Sequence, residues 1–273
     1  MSDQAEKLRN LVGKKKGKIL LFSGLKGGVG KTTLVSNLSY GLRWEKFRTC
    51  MVDLNIPFPS LTISFGKKPK WQWKQIINDE ISLLEALQMT SLGVPLLSGA
   101  SSSEPFAPSW AELPLIMEKL SLLKEHFDYV LVEAPVFWEP NESSLCTWGD
   151  VMVLVATPEP ASLISTYTLL KRSMGRLPAY SLIINRCQSK RQEREIQDAI
   201  CKAAEEMMGL EIQFYGGIPE DYKVFEASCR RSLLLVEFPK TAASKAIRRI
   251  CQKLPQEKGF EEKGLFSLVK KII

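Results

Sequence analysis

A glycine-rich turn between an apolar run and a helical pattern constrains this chain most. Residues 26–33 read KGGVGKTT, directly after the apolar run 19–22, and apolar residues then recur at helical spacing from 34 to 42. Such a turn can wrap its backbone N–H groups around a polyphosphate, and the N-terminus of the next helix favours the same anion. The pattern therefore predicts a phosphate-binding loop in which Lys31 reaches the β- and γ-phosphates and the Thr32 hydroxyl ligates Mg²⁺. The predicted phosphate-binding residues are Gly27, Gly28, Val29, Gly30, Lys31, Thr32 and Thr33.

Short apolar runs alternate with helical patterns along the rest of the chain. Strands are predicted at residues 19–23, 49–53, 94–98, 129–133, 151–156, 181–185 and 212–215, and helices at 31–44, 82–88, 110–126, 161–174, 190–208, 221–228 and 241–254. Most of the strands are continuously apolar, which is typical of strands buried on both faces. The sequence thus predicts a single α/β domain with a doubly wound, mostly parallel sheet, helices on both faces, and ligands at the carboxyl ends of the strands.

Composition narrows the class of protein further. The chain has 273 residues, of which 45% are hydrophobic, and this suits one α/β core. Six scattered cysteines without a CxxC pair indicate free thiols in a reducing cytoplasm. The only histidine, His126, lies at a predicted helix end, so we do not expect histidine-based acid/base or metal chemistry. We also expect no signal segment and no membrane span, and the net charge of +7 permits an anionic partner without identifying one.

The phosphate loop resembles the deviant Walker A motif of the MinD/ParA ATPases. The strict phosphate-loop pattern needs a glycine where this chain has Leu25, and the chain instead carries a second lysine, Lys26, at the start of the loop. The resemblance implies that the ligands are ATP and Mg²⁺. It also implies an ATP-bound homodimer in which Lys26 reaches the phosphates of the partner subunit.

Residues used for hydrolysis depart from that family's pattern. Asp53, at the end of the second predicted strand, is expected to hold a water of the Mg²⁺ shell. The family carries a second aspartate two residues later, whereas this chain has Asn55, which can bind a water but cannot take its proton. Glu133 stands where the family usually has aspartate, and Phe137 replaces a glycine. We therefore predict firm ATP binding and slow or absent hydrolysis. The predicted catalytic residues are Lys26, Lys31, Asp53, Asn55 and Glu133, and the predicted metal ligands are Thr32, Asp53 and Glu133.

The resemblance also covers the second half of the core. Residues 183–186 (IINR) resemble the strand end whose asparagine reads adenine, and residues 217–221 (GIPED) resemble the last loop over the base. The residues assigned to the nucleotide in this way are Asn185, Arg186, Pro219 and Glu220.

The N-terminal residues indicate one branch of the superfamily. Residues 3–9 read DQAEKLR and match the DQAxxLR motif of the FlhG family (also called FleN or YlxH), the flagellar-number ATPases. In that family the motif stimulates the GTPase of the partner FlhF, so the resemblance implies an FlhF-like partner. The alternative is an ordinary solvated helix start. The predicted contacts are Asp3, Gln4, Ala5, Leu8 and Arg9.

The C-terminal residues form an amphipathic pattern. Lysines and apolar residues from 263 to 273 fall on opposite helical faces, after a polar linker. This pattern predicts an interfacial helix like the MinD membrane-targeting helix; a final helix docked on the sheet is the alternative. The predicted membrane residues are Leu265, Phe266, Leu268, Val269, Lys270, Lys271, Ile272 and Ile273.

Taken together, these features predict an FlhG-like switch that dimerises with ATP and controls flagellar number and placement. Residues 1–17 are expected to form a partner-binding segment and a basic linker, 18–254 the ATPase core, and 255–273 a linker and membrane helix. The protein is expected in the cytoplasm, peripherally bound to the inner face of the cell membrane, and further candidate partners are flagellar switch (C-ring) proteins or a flagellar transcription regulator. We expect no nucleic-acid partner. Two alternatives remain open: a ParA-type partitioning ATPase that binds DNA nonspecifically, and an ATP-bound scaffold that does not hydrolyse.

Overall fold

An eight-stranded sheet forms the centre of the computed structural model, which describes residues 16–55, 59–99, 113–135 and 149–254. Across the sheet the strands run in the order β3-β4-β2-β5-β1-β6-β7-β8, and every neighbouring pair is parallel except β3 with β4. The predicted doubly wound, mostly parallel sheet is therefore confirmed. The strands are β1 (Lys18–Ser23), β2 (Thr49–Asp53), β3 (Gln88–Met89), β4 (Pro95–Ser98), β5 (Tyr129–Glu133), β6 (Val151–Ala156), β7 (Tyr180–Cys187) and β8 (Ile212–Pro219).

Helices cover both faces of this sheet. Several begin at a side-chain cap that satisfies a free backbone N–H group: Ser189, Asp221 and Thr241 each accept such a hydrogen bond. A 3₁₀ turn, Leu122–Glu125, extends the fourth helix. The helices are α1 (Lys31–Trp44), α2 (Ser60–Ser64), α3 (Trp73–Ile77), α4 (Leu113–Ser121), α5 (Pro160–Ser173), α6 (Lys190–Met208), α7 (Tyr222–Cys229), α8 (Leu234–Glu237) and α9 (Ala242–Lys253).

Two hydrophobic cores lie on opposite faces of the sheet. Leu20 and Phe22 of β1 belong to the core that α1, α8 and α9 cover. Ile19 and Leu21 belong to the core that α3 to α6 cover. Because successive side chains of a strand point to opposite faces, a strand covered on both sides must be apolar at every position, which explains the continuous runs in the sequence.

The helix predicted at residues 82–88 is wrong. Ser82 donates from its backbone and hydroxyl to the Glu85 carboxylate, and Ala86 N–H donates to the carbonyl of Ser82, so one turn forms. The chain then enters β3, where Gln88 pairs with Leu96 on the antiparallel edge of the sheet. Pairing with the sheet therefore ends the helical turn.

Other differences concern short elements and element ends. The helices α2, α3 and α8 were not predicted, since four or five residues are too few to show a helical period. The helix predicted at 110–126 is α4 followed by the 3₁₀ turn, and residues 110–112 lie outside the described part of the chain. Both β7 and β8 continue beyond their predicted ends, to Cys187 and Pro219.

The order β2-β5-β1 positions the candidate site. In this register Glu133 at the end of β5 is the partner of Phe22 in β1 and of Asp53 at the end of β2. All three strands end at the same edge, where the turn into α1 also begins.

Candidate functional site

The loop between β1 and α1 has the backbone of a phosphate-binding turn. Gly28 and Gly30 have φ angles of 78° and 96°, a left-handed region that favours glycine. Gly30 precedes the first residue of α1, and a Cβ atom there would lie 2.3 Å from Nδ2 of Asn185. Val29 is buried and fixes the loop against the core. Both the backbone conformation and the close approach of Asn185 therefore require glycine at position 30.

Lys31 lies inside the loop. Its side chain is only 5% exposed, and Nζ donates a hydrogen bond of 3.1 Å to the Gly24 carbonyl oxygen. Burial lowers the pKa of Lys31, and the charge of Glu133 partly opposes this shift. A polyphosphate placed in the loop would supply negative charge to this partly desolvated ammonium group.

Two buried carboxylates stand side by side at the ends of β2 and β5. Asp53 accepts backbone hydrogen bonds from Asn55 (3.0 Å), Leu61 (2.8 Å) and Thr62 (3.3 Å). Burial, and then the charge of Glu133, raise the pKa of Asp53 to about 7. The pKa of Glu133 is also raised, mainly by burial. The pair is therefore costly to ionise in this enclosed position.

Hydroxyl and amide groups complete the arrangement around Glu133. Thr32 Oγ1 donates to Oε1 of Glu133 at 2.6 Å, and Ser60 Oγ donates to Oε2 at 3.2 Å. Asn55 Nδ2 donates to Ser60 Oγ at 3.0 Å. The structure thus brings together the predicted residues Thr32, Asp53, Asn55 and Glu133. It adds Ser60, which no spacing in the sequence distinguished.

The donor set fits a hard divalent cation. Carboxylate and hydroxyl oxygens are the ligands that Mg²⁺ prefers, directly or through water. A cation here would also offset the repulsion between the two carboxylates, which are buried at the ends of adjacent strands. Thr32, Asp53 and Glu133 are the residues that would hold it, and a bound cation would neutralise charge on neighbouring phosphates.

A cavity of about 530 Å³ adjoins the phosphate loop. The predicted base-site residues line it together with Tyr222 and Phe225, whose rings lie 5.6 Å apart and are largely exposed. Asn185 Nδ2 donates to the Val29 carbonyl at 2.8 Å, so this side chain ties the end of β7 to the phosphate loop. The two aromatic residues were missed because they fall within an ordinary helical pattern. The lining residues are Gly30, Thr33, Leu34, Asn185, Arg186, Ile218, Pro219, Glu220, Asp221, Tyr222, Val224, Phe225, Ser228 and Ile247.

Lys26 makes a contact within its own chain. Its ammonium forms an ion pair with the carboxylate of Glu159, the residue that precedes α5. The two side chains are 33% and 49% exposed. The predicted reach of Lys26 into a partner subunit would require this ion pair to open.

Several predicted residues lie outside the described part of the chain. They are Phe137, the motif at residues 3–9 and the amphipathic pattern at residues 263–273, and their roles stay predictions. Within the described ranges, no helix combines the length and apolar character needed to cross a bilayer.

Replacing Glu133 by Gln should stabilise the protein when Mg²⁺ and nucleotide are absent. Glu133 is the better position for an amide, because the hydroxyls of Thr32 and Ser60 can rotate to donate to or accept from it. Asp53 is held by backbone N–H groups, which can only donate. Because the folded-state pKa values are raised, ionising the pair costs stability as the pH rises from about 4 to about 7. Thermal unfolding at about pH 8 should show Tm higher by roughly 2–4 °C for each kcal/mol gained. The gain should disappear at about pH 4; an equal gain at both pH values would contradict the argument.

Comparison with known proteins gives the family. Residues 20–234 match the CobQ/CobB/MinD/ParA nucleotide binding domain. The chain is 23% identical to the antiactivator FleN of Pseudomonas aeruginosa, over 86% of this chain and 85% of FleN. It is 25% identical to the flagellum site-determining protein YlxH of Helicobacter pylori, over 92% of this chain and 89% of YlxH. These two relatives confirm the predicted resemblance to the FlhG branch.

A solved structure confirms the fold independently. The septum site-determining protein MinD of Pyrococcus horikoshii, complexed with Mg-ADP, superposes with a TM-score of 0.69 at 23% identity, over 90% of this chain and 99% of that one. Since the family match spans most of the chain and includes the phosphate loop and both carboxylates, the protein belongs to the CobQ/CobB/MinD/ParA family of nucleotide-binding domains.

Proposed function

We propose that this protein is an ATP-dependent dimerising switch that regulates flagellar number and placement. In this proposal it hydrolyses ATP slowly and binds the membrane reversibly. The observation that carries the nucleotide part is the phosphate loop itself, with Lys31 inside it and Thr32 hydrogen-bonded to a buried carboxylate. The flagellar part is supported by the similarity to FleN and YlxH over most of all three chains.

Lys31→Ala should lower the affinity for Mg-ATP by roughly a hundredfold. The lysine is buried within the loop that would hold the β- and γ-phosphates, and hydrogen bonds to charged groups contribute up to about 3 kcal/mol. Titration calorimetry should be run with Lys202→Ala as the control, because that lysine is exposed on α6. Equal ATP affinity in wild type and Lys31→Ala would overturn the proposed nucleotide site.

The geometry at Asn55 supports the proposal of slow hydrolysis. Its amide nitrogen donates to Ser60, which leaves the amide oxygen free to accept a hydrogen bond from a water. An amide oxygen can orient that water but cannot take its proton at neutral pH. The same observation favours the second candidate, an ATP-bound scaffold that does not hydrolyse.

Asn55→Asp should accelerate phosphate release in single-turnover experiments, because a positioned carboxylate can act as a base. Positioned acid/base groups contribute typically about 10²–10⁴-fold, and repulsion from Asp53 and Glu133 should keep the gain towards the lower end. Asn55→Ala is the matched control and should be slower than wild type. If wild type and Asn55→Ala turn over equally, another group orients the water; if neither they nor Asn55→Asp turn over, the scaffold is the correct function.

Dimerisation should depend on the ion pair between Lys26 and Glu159. Lys26→Ala should weaken ATP-dependent dimerisation without changing ATP binding to the monomer, since it removes the cation assigned to the partner's phosphates. Glu159→Gln should strengthen dimerisation by roughly two- to fivefold, because an exposed ion pair contributes up to about 1 kcal/mol. Sedimentation equilibrium with a non-hydrolysable ATP analogue measures both. A protein that stays monomeric with the analogue at micromolar concentration would contradict the dimer.

The N-terminal motif is the proposed contact with an FlhF-like GTPase. A peptide of residues 2–10 should raise the partner's GTPase rate, and the same peptide with Gln4→Ala and Arg9→Ala should raise it less, because both polar contacts are lost. The measurement is steady-state phosphate release. A GTPase rate that neither peptide changes would remove this partner and leave the nucleotide site intact.

Reversible membrane binding is assigned to residues 265–273. Six apolar residues on one helical face would enter the headgroup boundary, and pairing of two subunits would raise the effective concentration of the second helix. A ParA-type DNA-partitioning function would explain neither this pattern nor the motif at residues 3–9.

A further inference from the structure

A basic and aromatic surface lies at the opposite end of the strands from the nucleotide site. Residues 40–48 run from the last turn of α1 into β2, and they enclose an open cleft of about 680 Å³. β2 begins at this edge and ends at Asp53, so the cleft and the Asp53 carboxylate lie at opposite ends of the same strand. We call this the Trp44 surface. Its lining residues are Tyr40, Arg43, Trp44, Lys46, Phe47 and Arg48.

Trp44 is the exposed aromatic side chain of this surface. Its side chain is 73% exposed. Leaving the apolar surface of an indole ring in water costs free energy that contact with a less polar partner would recover. Its neighbour Phe47 is half-buried and fixed by an edge-to-face contact with Tyr129, with ring centroids 5.4 Å apart. The indole therefore stands out from a rigid base, with an apolar ring and a polar N–H group that suit a boundary between water and a less polar phase.

The charges around Trp44 favour an anionic partner. Arg43 and Lys46 are exposed and form no ion pair among the described residues. Arg48 pairs with Asp128 at 2.7 Å, so it adds little net charge, and Glu45 is the acidic neighbour. Lys16 lies just before β1 at this same edge, because the backbone amides of Gly17 and Lys18 donate to the carbonyl oxygens of Lys124 and Asp128.

The place where α9 ends favours a membrane as the partner. A second cleft beside Trp44 is lined by Arg248, Cys251 and Gln252 from the last turns of α9. Residues 255–273 follow directly after this helix, and they carry the amphipathic pattern assigned to lipid. The Trp44 surface thus lies where the chain leaves the core towards its membrane-binding segment.

We propose that the Trp44 surface is a second membrane contact, which lies against anionic phospholipid when residues 265–273 insert. This inference rests on the proposed membrane function, and it assigns the core a direct part in that function. Each cation near an anionic leaflet contributes about fivefold in binding, the equivalent of about 1 kcal/mol. Because the nucleotide site is at the other end of the strands, the contact is compatible with bound ATP.

The experiment is co-sedimentation of the full-length protein, with Mg²⁺ and a non-hydrolysable ATP analogue, on two kinds of vesicle. One is phosphatidylcholine alone, and the other is phosphatidylcholine mixed with phosphatidylserine. Arg43→Glu combined with Lys46→Glu should weaken binding to the anionic vesicles at least tenfold and have little effect on neutral ones. Trp44→Ser should weaken binding to both. The matched controls are Arg194→Glu combined with Lys202→Glu, and Met207→Ser, all exposed on α6.

The outcomes separate the inference from the function on which it rests. If the Trp44-surface variants bind vesicles as well as their controls while wild type binds and removal of residues 260–273 releases it, the second contact is wrong and the membrane function stands. If wild type does not sediment with anionic vesicles, the membrane function fails and the inference fails with it. If Arg43→Glu with Lys46→Glu instead abolishes binding to duplex DNA and leaves vesicle binding unchanged, the surface belongs to a nucleic acid. Circular dichroism of every variant should match wild type, since the substituted side chains are exposed.

Discussion

The parallel register of β2, β5 and β1 places two carboxylates side by side in the interior, and the rest of the site is arranged around them. Asp53 and Glu133 are strand partners, so they cannot move apart without breaking the sheet. Two like charges in such a position are tolerated only when hydrogen bonds satisfy them. Backbone N–H groups of residues 55, 61 and 62 donate hydrogen bonds to Asp53, and two hydroxyl groups donate to Glu133. The remaining cost of ionisation is the part that a bound divalent cation would reduce.

Because residue 133 is glutamate, its carboxylate contacts two separate segments of the site. A glutamate is one methylene longer than the aspartate usual in MinD/ParA proteins, and here its oxygens reach both Thr32 and Ser60. These contacts connect the phosphate loop to the segment after β2. An aspartate at the same strand end would be shorter by one carbon–carbon bond. The contact with Ser60 therefore depends on the length of the glutamate side chain. Ser60 in turn orients Asn55, so both departures from the family pattern belong to the same hydrogen-bond network.

Much of this could be predicted from the sequence, because the strongest signals are local. The phosphate loop, the α6 helix and the buried strands follow from glycine spacing, helical periodicity and continuous apolar runs, and each was predicted at or near its observed bounds. Contacts between distant segments could not be predicted. The approach of Ser60 to Glu133, and of Lys26 to Glu159, depends on the strand order and on how the turns leave it. The helix predicted at residues 82–88 was wrong for the same reason, since sheet pairing at Gln88 overrides a local helical signal.

The short α2 helix depends on the carboxylates for its attachment. Only Leu61 and Thr62 of its five residues are buried, and the amides of both donate to Asp53. A helix of one turn has almost no stability of its own. Its folding is therefore thermodynamically linked to whatever occupies the carboxylates, and its amide protons should exchange with solvent at a rate set by the site rather than by the global unfolding of the domain. The local stability of α2 should therefore report the charge state of the buried pair beneath it.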